Sequence, residues 1–184
     1  MTHSSNHYGT RRLTRAVLGS LVDVGFIAAA ACTPDPGPTS GAALTSSAST
    51  SNVAPGTVVT VTGAGYNPAA NIGSRPPLWG QPAGVYVAFA CVTDPWKPSA
   101  GATSANRAVI EQFWAVPSAA AFQAIGGAES GAIMMDANGG FAVDVTLTAA
   151  PCAGRYAIIT LPGSGAPVNP GEENEIPVTF AAQS

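Results

Sequence analysis

From Phe141 to Leu147 the chain reads "FAVDVTL". Phe141, Val143, Val145 and Leu147 fall on one side of an extended backbone, and Asp144 and Thr146 on the other. A period of two, built from β-branched and aromatic residues, marks a strand with one face in a core and one in water. Just before it, "DANGG" (residues 136–140) has the residue types of a tight turn, and "AIMMD" (132–136) supplies a short strand on its far side. Together they predict a β-hairpin.

The pattern recurs on either side. "TVVTVTG" (57–63) sets Val59 and Val61 against Thr60 and Thr62, and "GVYVAFACV" (84–92) aligns Val85, Val87, Phe89 and Cys91. "RYAIITL" (155–161) and "EIPVTFA" (175–181) follow, and a first strand near Asn52–Ala54 brings the count to seven. Pro177 has no amide hydrogen to give a ladder, so the last strand is predicted to be an edge or to carry a bulge. Composition agrees. Of 184 residues only 9% are charged and 46% are apolar, with 21 Gly and 16 Pro. That is too apolar for a disordered chain and too turn-rich for a helical bundle. The predicted fold is all-β: a seven-stranded antiparallel immunoglobulin-like sandwich over residues 52–184, its strands lettered A to G in chain order.

An insertion is expected between strands C and D. "NRAVIEQFWAVP" (106–117) carries Val109, Ile110, Phe113 and Trp114 at helical spacing, while its "QFWAV" also suits an extra strand. "PSAAAFQAIGG" (117–127) reads as a short helix with Ser118 as N-cap and Gly126 past its end.

The front of the chain reads as an address. Residues 1–31 combine Arg11, Arg12 and Arg15 with the apolar run "AVLGSLVDVGFIAAAA" and a small-residue end, the plan of an export signal. That run is 16 residues, short of the roughly 20 needed to span a bilayer. Two cleavage modes are open. Ala29, Ala30 and Ala31 suit a general signal peptidase, and "AAAC" also resembles a bacterial lipobox that would place a diacylglyceryl group on Cys32. Residues 32–51, rich in Pro, Gly, Ser and Thr, read as a flexible tether. The expected location is the outer face of the membrane or the cell envelope, through a lipid anchor only, with release into the medium as the alternative.

Cysteine arithmetic supports the anchor. Three cysteines in an exported chain leave one over. With Cys32 acylated, Cys91 and Cys152 are free to pair in an oxidising compartment. Topology points the same way, because in this sandwich the end of strand C, at Cys91, lies beside the start of strand F, just past Cys152.

"VAPGTVVTVTGAGYNP", "GVYVAFACV", "DANGGFAVDVTLT" and "IPVTFA" resemble the secreted immunoglobulin-like domains of actinobacteria. These include the neocarzinostatin-type apoproteins and modules that accompany haem-transport-associated domains. The resemblance spans residues 53–181. It implies a seven-stranded sandwich and, for the neocarzinostatin type, a non-covalently held apolar chromophore.

Charge and residue type exclude several functions. His3 and His7, the chain's two histidines, precede the apolar run, so a processed chain lacks the usual general base and the commonest metal ligand. No G-x-S-x-G elbow or phosphate-binding glycine loop is present. Asp94, Glu111, Glu129, Asp136 and Asp144 read as solvated turn and strand residues. After Ala31 four basic residues face nine acids, so nucleic acid is not an expected partner. No catalytic residue, metal or cofactor is expected.

What remains is a loop surface, since the B–C and F–G loops leave one end of such a sandwich. The first carries Arg75 and Trp79, and the second carries Glu172 and Glu173 in "GEENE". These four are the candidate ligand-binding residues. The competing reading has Trp79 capping the core, Arg75 paired with Glu172 or Glu173, and the acids guarding an edge strand. Trp96 is expected to shield the disulfide, and Trp114 to lie in the core. The expected protein is thus a non-catalytic, envelope-tethered immunoglobulin-like domain that binds a small molecule or envelope component through its loops. A secreted carrier of a small apolar molecule is the alternative, and it requires a concave pocket above a few hundred Å³.

Overall fold

A computed structural model describes residues 41–182. The expected export signal, Cys32 and the first part of the expected tether lie outside the described residues. The chain forms a three-stranded sheet in the order β1-β2-β6 and a five-stranded sheet in the order β5-β4-β3-β7-β8. The first comprises β1 (Ala43–Ser46), β2 (Thr57–Ala64) and β6 (Phe141–Leu147). The second comprises β3 (Val85–Val92), β4 (Arg107–Val116), β5 (Ala132–Met134), β7 (Arg155–Pro162) and β8 (Glu175–Val178).

The alternating residues meet between the sheets as expected. Val59 and Val61 of β2 and Phe141, Val145 and Leu147 of β6 pack with Val85, Val87, Phe89 and Ile158 of the larger sheet. The expected bridge is present. β3 and β7 run antiparallel, and Cys91 is bonded to Cys152 with a Cα separation of 5.5 Å. Pro177 sits in β8, an edge strand, where its missing donor costs no ladder bond.

Several expectations need correction. The described strands number eight rather than seven. The first is not at Asn52–Ala54, where Val53 makes only an isolated bridge to Phe180. It is β1, inside the stretch read as tether, with Leu44 against Gly63 of β2. "DANGG" does form a turn, in which Asp136 Oδ1 accepts from the backbone of Asn138 and Gly140. Gly139 is required there: its φ is +77°, and a Cβ would meet Tyr66 O at 1.6 Å. Yet the strands flanking this turn belong to different sheets, so it carries the chain across the sandwich and closes no hairpin. β5 instead pairs in parallel with β4, through Ala115 and Ile133.

The insertion therefore contributes an edge-widening strand as well as the short helix. The helix, α1 (Ala119–Ala124), is capped as expected by Ser118, whose hydroxyl accepts from Ala121 N at 3.1 Å. Segment 107–116 became a strand because Val109 and Ile110 are β-branched and β3 offered an unpaired edge. Its register against β3 slips once: Glu111 faces Phe89 while Val109 faces Ala90. Ile110 is the extra, bulged residue, and it packs into the core.

Candidate functional site

β3 and β7 are apolar on both faces. Their outward side chains include Ala88, Ala90 and Val92 on β3 and Ala157 and Ile159 on β7, all buried. One end of this outer face is sealed by Trp96, which is 3% exposed. The alanines make a shallow trough wide enough for the indole. Trp96 Nε1 donates to Glu175 Oε2 at 2.6 Å, and its carbonyl accepts from the Arg107 guanidinium. Cys91 faces the opposite, inner side, in step with Val87 and Phe89, so Trp96 covers the outer sheet face and does not shield the disulfide.

The other end of that face is open. It forms a groove of about 540 Å³ with no carboxylate among its lining residues. Tyr86, Ile159 and Leu161 make its floor, and Arg107, Val109 and Gln112 of β4 one wall. The bulge at Ile110 explains this wall. Arg107 and Val109 keep the outward facing of Val92 and Ala90, and Gln112 keeps that of Ala88. Pro98 and Ser104 form part of the rim, and the loops on either side of Arg75 and Ser164 form the rest.

Those two loops are the B–C and F–G loops, and they do emerge together. Ser74 N donates to Ser164 O at 3.0 Å, Ser164 Oγ donates to Arg75 O at 2.7 Å, and Ser74 Oγ donates to Gly165 O. Ser164 holds a left-handed backbone, φ +50°, a strained conformation for serine. In it, its amide reaches Tyr86 Oη at 3.1 Å. Gly165 lies against the Arg75 side chain: a Cβ there would meet Nε at 2.8 Å. The groove rim is therefore tied in place at both loops.

The four candidate residues separate. Arg75 lines the groove, and among the described residues it makes no ion pair, the two pairs present both belonging to Arg155. Trp79 is 71% exposed, so it does not cap the core. Glu172 and Glu173 are buried and turned inward. Glu172 accepts from Asn67 N at 2.7 Å and Asn71 Nδ2 at 2.6 Å, tying the two loops from within. Glu173 accepts from the backbone and hydroxyl of Ser99. Both carboxylates are thus taken up by internal hydrogen bonds and stand 5% and 1% exposed. Trp114 is half-buried on the outer side, donating to Ala83 O at 2.6 Å and lying 4.8 Å from the Tyr86 ring.

Arg107 escaped the sequence reading because its surroundings read as a helix or a plain strand. Burial pulls its guanidinium below the usual value, with the Glu173 carboxylate working against that. It stays charged, as arginine does in proteins. A signal for the groove was nonetheless present. "YAIITL" is apolar at Ala157, Ile159 and Leu161 as well as at the inner Tyr156 and Ile158, so its outer face had to be covered by something. No protein-family model, curated protein or solved structure matches this chain.

Proposed function

We propose that the protein is an exported, non-catalytic binding domain of immunoglobulin-like architecture, and that its site is the groove on the outer face of the five-stranded sheet. One observation carries this reading: the chain lays a tryptophan across one end of an apolar sheet face and leaves the other end open as a concavity with a fastened rim. An open apolar concavity of several hundred Å³ beside a few polar groups is the usual form of a small-molecule site. The Cys91–Cys152 bond supports an extracytoplasmic location. The two-sheet architecture, bridged from Cys91 of β3 to Cys152 just before β7, is in keeping with a β-sandwich. The exposed indole of Trp79 favours a second reading, an envelope partner held at the loop end.

Native mass spectrometry tests the first reading. The full chain is mixed with a small-molecule extract of its producing cells. A discrete adduct is expected, absent from a Val109→Asp variant that charges the groove wall. Retention of the adduct in that variant, or its loss in Trp79→Ala instead, moves the site to the loop end. No adduct under any condition removes the reading.

A further inference from the structure

We infer that the groove selects an organic acid: a free amphiphile with an apolar body and one oxyanion. This rests on the groove being a binding site and specifies what enters it. Residues 41–182 contain eight acidic and four basic residues, so a random cavity would be acidic. This one is the reverse. Two of the four cations, Arg75 and Arg107, line it, and no acid does.

Six of the eight acids are occupied elsewhere. Asp94 and Glu175 pair with Arg155. Asp144 accepts from Thr60 Oγ1 and Glu111 from Thr146 N, on the far side of β4 and on the other sheet. Glu172 is held by Asn71 and Glu173 by Ser99, with Glu173 behind the groove wall and near enough to Arg107 to favour its charge. Arg107 gives one nitrogen to Trp96 O, which orients the fork and leaves its remaining donors without a partner among the described residues. Arg75 leans on Gly165, the one residue type whose lack of a side chain lets the guanidinium lie there. A guanidinium fork recognises carboxylate, phosphate and similar oxyanions in two-point geometry, and a low-dielectric wall strengthens that attraction. The apolar surface of Val109 and Leu161 supplies contact for the body of the same molecule.

Two dyes separate this inference from the reading beneath it. Anilinonaphthalene sulfonate carries an apolar ring system with one oxyanion, and phenylnaphthylamine is its uncharged counterpart. The full chain is titrated with each and fluorescence enhancement is followed, with Arg75→Gln, Lys97→Gln and Val109→Asp variants alongside. The sulfonate is expected to bind at least about tenfold more tightly, the worth of one charge-assisted hydrogen bond. Arg75→Gln should erase most of that preference, whereas Lys97→Gln, which removes the same charge outside the groove, should leave it. Val109→Asp should weaken both dyes. Equal affinity for the two dyes, or equal effects of Arg75→Gln and Lys97→Gln, overturns the oxyanion inference while leaving the groove standing. Failure of both dyes to bind, or indifference of both to Val109→Asp, overturns the groove itself.

Discussion

Tyr66 packs on Phe141 with ring centroids 5.1 Å apart, and its hydroxyl lies between Thr160 Oγ1 at 2.9 Å and Asn174 Nδ2 at 3.2 Å. Thr160 spends its one proton on Glu172 O at 2.8 Å, so Tyr66 donates to Thr160 and accepts from Asn174. Burial raises the Tyr66 pKa above 10.0, and the two hydrogen bonds oppose that in part. The unfolded chain therefore loses this proton first. Stability from the neutral phenol is complete below pH 10 and is lost as the pH climbs through the higher folded value. Urea titrations across the alkaline range should show stability falling above that pH, and less steeply in Tyr66→Phe. At neutral pH the same variant should cost about 1–2 kcal/mol, the price of one buried hydroxyl network. An unchanged alkaline limb in Tyr66→Phe would show that this phenol does not titrate with folding. The web around Tyr66 marks where single-residue reading stops. Glu172 and Glu173 follow a glycine in a polar run, and nothing local distinguishes a solvated acid from one whose donors, Asn67, Asn71 and Ser99, come from loops far off in sequence.

At the scale of elements, legibility followed periodicity. β2 and β6 alternate, β3 and β7 are short continuous apolar runs bounded by turn residues, and each of the four lies where its pattern places it. β4 does not alternate, because the bulge at Ile110 inserts one residue, so its core-facing and outward residues fall at intervals that mimic a helix. β1 was hidden for a different reason: "ALTS" is compositionally indistinguishable from the tether around it, and it is a strand because β2 presents an edge to pair with. The bridge between β3 and β7 was legible from counting and topology together. It joins residues 61 apart in sequence, and a loop of that size is worth about 4 kcal/mol through the entropy of the unfolded chain. Reduction of the full chain, or replacement of both Cys91 and Cys152 by alanine, should lower its stability by about that amount in urea titrations. A loss below about 1 kcal/mol would mean that the reduced chain keeps the two strand ends together by other contacts.

For the whole molecule, an anchor on Cys32, if the chain carries one, would make the distance from groove to membrane the deciding quantity. The location of β1 bears directly on it. A domain beginning at residue 52 would hang on a tether of about twenty residues, but among the described residues the first paired one is Ala43, eleven positions after Cys32. Eleven residues reach at most about 40 Å when fully extended. A lipid on Cys32 would therefore keep the start of β1 within about 40 Å of the bilayer surface. Cys32 is also the third of the three cysteines, left over once Cys91 and Cys152 are bonded to each other. Cells fed a labelled fatty acid should incorporate label into the protein and retain it in the membrane fraction. Cys32→Ser should abolish the label and send the folded domain, its Cys91–Cys152 bond intact, into the medium. Unlabelled wild-type protein in the medium would instead assign the cut to the alanines before Cys32 and make the groove that of a freely diffusing carrier. Labelled Cys32→Ser protein would place the anchor on another residue altogether.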